Sequence, residues 1–413
     1  MNGEKRLAVR RVMPRNIGRA VVLALAALPF AYFAGIAAFA EIARHINPVM
    51  VAKLVPSDPM ASAMAAWRRI ETDATGQSSV ALREIASRGL RQQAVNNPAL
   101  HLLMIASGLE NRPVAAATFA RLSEKLTRHD LTTQLWLIDE SVRRDDHHAA
   151  LLHYDRALKT TVSVQPALFQ VLLKAISDPQ IRAAMVPLIQ NDSRWVVSFL
   201  LESSSSDPTA EDTARLLLAA SPRLSARTNE MIAPQLLTRL TKLGKFDLAF
   251  RYAQTLKGAR AEMGRNAGFD STTIDPRFGA LSWVPAQDAR VGASFETRGS
   301  VSQARVFASA NSKGIALHRV LHLTPGVYGM TERRKVEMAD PASQAHWEMR
   351  CGGGAEAPIV WRIRTTPRAY RVLNAVGLVV PTDCLYQTLD LVVDSGEGQQ
   401  GLEFVVEELR FLR

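Results

Sequence analysis

A run of twenty-one residues without a charged side chain lies near the N-terminus and constrains the fold more than any other feature. It extends from Ala20 to Ala40 and follows a segment that has six lysines and arginines and a single acid, Glu4. At a rise of about 1.5 Å per residue, a helix of this length crosses the apolar core of a bilayer, which is roughly 30 Å thick. Spanning helices tolerate proline, so Pro29 is compatible with this reading. The run predicts a transmembrane helix over residues 20–43.

The basic segment determines the predicted orientation. Lysine and arginine resist translocation, so residues 1–19 are expected to form a cytoplasmic tail, with the rest of the chain on the other side. One alternative stays open, because Ala38-Phe39-Ala40 matches the small-x-small pattern of a signal-peptidase site. Cleavage after Ala40 would release a secreted protein that begins at Glu41.

The formal net charge of +11 is concentrated at the N-terminus. The segment before Ala20 contributes five of these charges, and the others are spread along the chain without basic runs interleaved with aromatic residues. Such a distribution is not typical of nucleic-acid binding, so we expect no nucleic-acid partner. An anionic polymer or a lipid surface suits it better.

The two cysteines of the chain, Cys351 and Cys384, both fall in segments that read as strands. Outside the cytoplasm such a pair is a candidate disulfide. A bridge of this span would stabilise a small β domain by about 2–4 kcal/mol. Two buried free thiols are the alternative.

Composition changes sharply near residue 265. Residues 61–260 are rich in Ala, Leu, Arg and Gln with apolar residues at helical spacing, which predicts a helical repeat domain. Residues 268–413 contain short Val-, Phe-, Trp- and Tyr-rich runs between turn residues, which predicts a β domain. The segment from Gly258 to Gly268 is the expected boundary.

The helical part repeats a pattern of small and aromatic residues. Ala115 and Phe119 are four positions apart, and Ala150, Tyr154 and Ala157 repeat this spacing 35 residues later. A period near 34, with small residues where two helices meet, describes a helix-turn-helix repeat.

These segments resemble degenerate tetratricopeptide repeats over residues 97–166 and again over 235–257. Turn-like breaks stand at residues 110–112 and 144–146 and at Gly244, although Asp145-Asp146 replaces the glycine that the family has at one turn. The resemblance implies a solenoid that binds a protein partner on its concave face.

The pattern of the C-terminal part predicts antiparallel strands with one solvent-exposed face and one buried face. In one of them Leu389, Leu391 and Val393 alternate with Thr388 and Asp390. Nine strands within about 145 residues predict a jelly-roll β-sandwich. The predicted strands are Val291–Thr297, Ala304–Ala308, Ile315–Leu323, Gly326–Glu337, His346–Cys351, Ile359–Thr365, Tyr370–Val379, Leu385–Val393 and Leu402–Phe411.

Leu321–Tyr328, with the sequence LHLTPGVY, resembles the strand-turn-strand element of carbohydrate-binding-module-like sandwiches, and His346–Cys351 fits the same layout. The whole arrangement is similar to that of uncharacterised bacterial envelope proteins encoded near exopolysaccharide genes. It consists of the anchor, the helical repeats and the cysteine-paired sandwich. This resemblance implies a single-pass protein of the bacterial inner membrane with its bulk in the periplasm.

The chain has no catalytic or phosphate-binding motif, so we expect no enzyme activity and no cofactor. The densest group of metal-ligating residue types surrounds His147-His148 and includes His153 and Asp155, but this fits the solvated part of a repeat helix. His318 and His322 would lie about 13 Å apart on a strand, too far to share an ion. We therefore expect no metal site.

Glycan binding would require an exposed aromatic platform on the sandwich, for which Trp361 and Tyr370 are the candidates. Trp347 and Tyr328 are expected in the core, where strand aromatics usually lie. Three nearby arginines are suited to acidic sugars: Arg362, Arg364 and Arg368.

Two functions follow. The first is a non-catalytic, membrane-anchored periplasmic scaffold, whose repeats bind a protein partner in exopolysaccharide or envelope assembly. The alternative is a glycan-binding protein that uses the sandwich to bind a polysaccharide.

Overall fold

The computed structural model describes residues 14–72, 78–260, 275–298, 301–353, 356–365 and 371–413. An apolar N-terminal helix is followed by a helical region and then by a two-sheet antiparallel sandwich, which confirms the predicted order. Residues 1–13 of the predicted tail and most of the predicted boundary segment lie outside the described residues. The chain divides into two compact units, Met1–Thr160 and Thr161–Arg413.

The first unit is helical throughout its described part. Its helices are α1 (Pro14–Ile46), α2 (Pro48–Leu54), α3 (Pro59–Thr72), α4 (Ser79–Gln92), α5 (Asn97–Leu109), α6 (Pro113–Leu126), α7 (Leu131–Arg143) and α8 (His147–Thr160). Among the described helices, one stretch of α1, Ala26–Ile46, is long and apolar enough to cross a membrane. A signal sequence would have the same length and composition.

The surface of α1 changes character along its length. Phe30, Tyr32 and Phe33 are exposed, as lipid-facing side chains would be. Ala40 and Ala43, near the end of the helix, are buried against α2 and α3. The last turns of α1 therefore belong to the packed first unit.

Left-handed residues close the predicted turns between paired helices. Asn111 follows α5 and Asp145 follows α7, with φ of 54° and 58°. In each turn the next amide N–H donates to the carbonyl oxygen five positions earlier, at 2.8 Å and 2.9 Å, which is a Schellman cap. These turns lie where the sequence predicted breaks, whereas the assignment to the tetratricopeptide family stays a prediction.

The predicted repeat residues lie between helices. Ala150, Tyr154 and Ala157 are buried on α8. Phe119 packs beside the buried side chains of α5 and α6, and Ala115 is partly buried. Small and aromatic residues thus occupy helix contacts, as the pattern indicated.

The second unit begins with further helices. They are α9 (Gln165–Ala175), α10 (Pro179–Gln190), α11 (Arg194–Ser205), α12 (Asp207–Ala220), α13 (Ala226–Lys242) and α14 (Phe246–Ala253). A 3-10 segment, Pro276–Leu281, then packs on α13. At Gly279 the φ is +51° and a Cβ would lie 2.9 Å from the Pro234 carbonyl oxygen, so only glycine fits there.

In the described part of this unit, ten strands follow. They are β1 (Val284–Pro285), β2 (Val291–Arg298), β3 (Val301–Ala308), β4 (Lys313–Leu321), β5 (Gly326–Met338), β6 (Gln344–Cys351), β7 (Ile359–Thr365), β8 (Arg371–Val380), β9 (Gln387–Asp394) and β10 (Leu402–Leu412). Antiparallel pairing gives two sheets, β1-β4-β9-β6-β7 and β2-β3-β10-β5-β8. The nine predicted strands are confirmed within a few residues, and β1 was not predicted.

Alternating residues separate the core from the outer faces. Leu389, Leu391 and Val393 of β9 are fully buried in the interior, as predicted. Trp347 and Tyr328 also lie in this core, as expected for strand aromatics. The side chains between the buried residues of β9 consequently lie on the outer face of the first sheet.

A buried ion pair joins the two sheets. On β5, Arg334 donates from Nε to Glu332 at 2.5 Å, and both side chains are almost fully buried. Trp347 of β6, in the opposite sheet, donates from Nε1 to Glu332 at 2.9 Å. This polar contact ties β6 to β5 inside the sandwich.

The predicted disulfide is confirmed between Cys351 and Cys384, whose Cα atoms are 5.3 Å apart. It holds the turn after β6, where a Cβ on Gly353 would lie 2.6 Å from the Phe246 ring on α14. Tyr386, close to Cys384 in sequence, stacks on the same ring with centroids 5.6 Å apart. The bridge therefore supports the contact between the sandwich and α14.

Replacing both cysteines, Cys351→Ser with Cys384→Ser, is expected to lower the free energy of unfolding by about 2–4 kcal/mol, because the bridge closes a loop in the unfolded chain. Urea denaturation of the full chain in mild detergent, followed by tryptophan fluorescence, measures the change. A reductant should destabilise the wild type by a similar amount and leave the double variant unchanged. An equal effect of reductant on both proteins would contradict the structural role of the bridge.

Candidate functional site: a charged groove on the sandwich

The outer face of the sheet β1-β4-β9-β6-β7 carries a groove of about 480 Å³. It crosses β4, β9, β6 and β7, and it lies on the side of the sheet opposite the core. Among the described residues, thirteen side chains line it, most of them polar or charged: Lys313, Ile315, His318, Gln344, His346, Glu348, Arg350, Arg362, Arg364, Thr388, Asp390, Val392 and Asp394.

Strand register assembles the middle of the groove. His318 on β4 pairs with Asp390 on β9, which pairs with Glu348 on β6, which pairs with Arg362 on β7. Neighbouring strands lie about 4.8 Å apart, so these four side chains form one row across the sheet. We call it the central row.

The two acids of the central row are adjacent, and a basic or imidazole side chain flanks each of them. Asp390 and Glu348 lie directly opposite each other, an arrangement that would repel on its own. His318 contacts Asp390 at 2.6 Å through Nδ1, and Arg362 donates from Nε to Glu348 at 2.7 Å. Arg350 lies 2.5 Å from the other oxygen of Glu348. Both acids are thereby bound to cationic or imidazole groups of the protein.

Burial and the neighbouring charges shift the pKa values of Glu348 and His346. Burial opposes ionisation of Glu348, but hydrogen bonding to Arg362 and the charge of Arg350 outweigh it and hold the pKa of Glu348 below its usual value. Burial, followed by the nearby charge of Arg362, lowers the pKa of His346. At neutral pH Glu348 is therefore an anion and His346 is uncharged.

A second row lies one step further along the strands. It contains Val392 and His346 in the middle, Ile315 on β4 and Arg364 on β7. Arg364 is exposed, and among the described residues no ion pair involves its guanidinium group. At the β4 side of the groove, Lys313 is largely exposed and lies 3.4 Å from Asp394. The groove thus has an exposed cationic group on each side.

Trp361, the aromatic candidate that the structure describes, does not line this groove. Trp361 packs against the sandwich core, with its ring centroid 5.9 Å from that of Phe411. Because β7 alternates, this orientation places Arg362 and Arg364 on the outer face instead. The exposed aromatic platform expected at Trp361 is therefore not found there, and Tyr370 lies outside the described residues, as does Arg368.

The histidine-rich segment considered for metal binding is engaged with neighbouring polar groups. His153 contacts Gln134 at 2.8 Å through Nδ1, and Asp155 accepts from Lys159 at 2.6 Å. Within the described ranges, no group of three or more His, Cys, Asp or Glu residues could hold a metal ion.

Sequence reasoning missed most of the groove. Glu348 and Asp390 lie in predicted strands, but the sequence does not show that these two strands pair. A signal was present, since polar or charged residues recur at every second position over 346–350, at 362 and 364, and at 388, 390 and 394. Three such strands predict a polar sheet face once their pairing is known.

No protein-family model matches the chain, and no curated protein sequence matches it. Among solved structures, an arabinose-bound α-L-arabinofuranosidase, MgGH51, is similar over 37% of this chain and 28% of its own, with 10% identity and a TM-score of 0.27. A structure described as "CBM4 structure and function" is similar over 37% of this chain and 96% of its own, with 10% identity and a TM-score of 0.26.

TmCBM61 in complex with β-1,4-galactotriose is similar over 38% of this chain and 97% of its own, with 12% identity and a TM-score of 0.20. This chain thus spans little more than a quarter of the arabinofuranosidase and nearly all of the two modules. Each similarity involves less than two fifths of this chain.

The lowered pKa of Glu348 predicts acid sensitivity of the sandwich. Stabilisation from its ion pairs is fully present above pH 4.5, the ordinary value, and is lost as the pH falls through the lower folded-state pKa. Glu348→Gln is expected to be less stable than the wild type near neutral pH, with the difference shrinking in acid. Thermal unfolding of both proteins from about pH 7 to about pH 3 measures this. A difference that stays constant with pH would contradict it.

Proposed function

We propose that this is a membrane-anchored, non-catalytic polysaccharide-binding protein whose site is the groove on the outer face of β4, β9, β6 and β7. The observation that carries the proposal is the central row, in which four hydrogen-bonding side chains cross the sheet side by side. A polysaccharide presents hydroxyl groups along an extended chain. A polar groove that crosses four strands offers partners to several consecutive sugar units.

The groove is also organised before a ligand arrives. Glu348 is held by two arginines and Asp390 by His318, so these side chains have little freedom left to lose on binding. Preorganised polar groups lower the entropic cost of association. This rigidity supports a binding role for the groove.

The same contacts favour binding over hydrolysis. Glycosidases use two carboxyl groups on either side of the scissile bond, one of them with a raised pKa so that it can donate a proton. Glu348 and Asp390 adjoin on neighbouring strands, and the pKa of Glu348 is lowered. A carboxylate of this kind is poorly suited to act as the acid.

Helix α1 supplies the proposed membrane attachment. Its exposed aromatic residues suit lipid, and the Ala38-Phe39-Ala40 sequence lies inside a continuous helix. Ala40 and Ala43 also pack against the next helices, so cleavage there would remove part of a packed contact. Both observations support a retained anchor. Its place in the bacterial inner membrane, with the groove in the periplasm, is what the resemblance of the sequence to envelope proteins implies.

Protein binding by the helices is the second part of the proposal. The matching Schellman caps at Asn111 and Asp145, 34 residues apart, favour a repeated helix pair of the kind that binds protein segments. In this role the chain would join a protein partner to a polysaccharide during exopolysaccharide or envelope assembly.

Two substitutions that remove polar side chains from the groove lining test the glycan site. Gln344→Ala and His346→Ala should each weaken polysaccharide binding by about 0.5–1.5 kcal/mol, the usual net value of one hydrogen bond. Calorimetric titration of the full chain in mild detergent against a panel of neutral and acidic polysaccharides measures this. Thr331→Ala, on the other sheet, is the control and should bind as the wild type does. Equal binding by all variants would place the site elsewhere.

A retained anchor predicts an intact N-terminus. We expect the mature protein to fractionate with membranes after high-salt washing and to contain residues 1–40 by mass spectrometry, because α1 remains in the bilayer. A mature chain that begins at Glu41 would show that α1 is a cleaved signal sequence.

A further inference from the structure

We infer that the groove selects acidic polysaccharides, with carboxylate groups along the chain, and that Arg364 contacts one of those carboxylates. This inference rests on the proposed function and names its ligand class. It follows from three properties of the groove, namely the composition of its lining, the state of its acids and the position of its exposed cations.

The lining offers little apolar contact to a sugar ring. Ligand sites are usually lined by hydrophobic and aromatic side chains with a few polar groups. Among the described residues that line this groove, only Ile315 and Val392 are aliphatic, and there is no Trp, Tyr or Phe. Trp361, the nearest aromatic candidate on β7, packs against the core instead. Stacking of a neutral sugar is thus replaced by polar and ionic contacts.

Each acid of the groove already contacts a basic or imidazole side chain. Asp390 is paired with His318, Glu348 accepts from Arg362 and contacts Arg350, and Asp394 lies 3.4 Å from Lys313. Because the pKa of His346 is lowered, that side chain adds no positive charge at neutral pH. Among the described lining residues, four lysine or arginine side chains face three carboxylates, so the groove has a positive formal charge with exposed cations at its sides.

Those cations stand on opposite sides of the groove. Arg364 is exposed on the edge strand β7, and no ion pair involves it within the described part of the chain. Lys313 is on β4, three strand spacings away, which corresponds to about 14 Å. A polymer that crosses the strands would meet both cations, with Val392 and His346 of the second row between them and the central row alongside.

Arginine suits a carboxylate better than lysine does. Its planar guanidinium group presents parallel N–H donors that match the two oxygens of a carboxylate. Arg364 has this group free at the edge of the groove, whereas Lys313 lies near Asp394. The structure accordingly assigns the carboxylate contact to Arg364 and a weaker, less directional attraction to Lys313.

Titration with polygalacturonate and with its methyl ester tests the ligand class, because esterification removes the charge and keeps the sugar backbone. We expect the full chain in mild detergent to bind polygalacturonate at least tenfold more tightly than the ester, and the affinity to fall as salt is added. Arg364→Gln should weaken binding to polygalacturonate about tenfold and leave binding to the ester unchanged. Arg364→Lys should fall between the wild type and Arg364→Gln.

Arg410→Gln provides the matched control, since Arg410 is an exposed arginine on β10 of the other sheet. It should bind as the wild type does. Circular dichroism and the melting temperature verify that each variant is folded.

The other outcomes distinguish a failure of this inference from a failure of the proposed function. Equal affinity for the ester and the acid, or full affinity in Arg364→Gln, would overturn the inference and leave glycan binding by the groove intact. Equal affinity for polyglutamate would show that the groove recognises any polyanion, which also overturns the inference. Failure to bind any polysaccharide would refute the proposed function itself.

Discussion

Antiparallel pairing of β6 with β9 places Trp347 opposite Leu391 on the inner face and Glu348 opposite Asp390 on the outer face. Successive side chains of a strand alternate between the two faces of the sheet. A shift of the strand register by one residue would therefore move each inner side chain to the outer face and each outer side chain to the core. Such a shift would bury two acids and expose the core. Burial of the apolar side chains therefore sets the register, and the register assembles the groove.

A polar contact inside the sandwich reinforces this register. Glu332 accepts hydrogen bonds from Arg334 and from the Trp347 indole, and Arg334 also lies over the Phe404 ring at 4.6 Å from its centroid. Buried ion pairs add little net stability, but loss of one partner costs about 3–5 kcal/mol. We interpret this one as a device for specificity. It links β6 to the opposite sheet and positions Glu348, the next residue, on the groove side.

The sandwich is also joined to the helices of its own unit. Tyr386 stacks on Phe246 and lies 5.2 Å from the Phe250 ring, while the disulfided turn packs on the same helix. These contacts join α14, the last helix before the sandwich, to the strands of the same compact unit. The composition change near residue 265 marks where helices give way to strands, and it does not reveal this packing.

The sequence by itself determined the class of each segment. A charge-free run, helical spacing and period-two alternation are local patterns, so they predicted α1, the turn at Asn111, nine of the strands and the inward orientation of Leu389. The disulfide was predicted because the chain has two cysteines and because this part of the chain is expected outside the cytoplasm. Only the tertiary structure decided which outer faces adjoin, because strand order brings together residues as distant as His318 and Asp390. It also decided which side of β7 faces the core, since alternation alone leaves Trp361 and Arg364 equivalent until packing buries one of them.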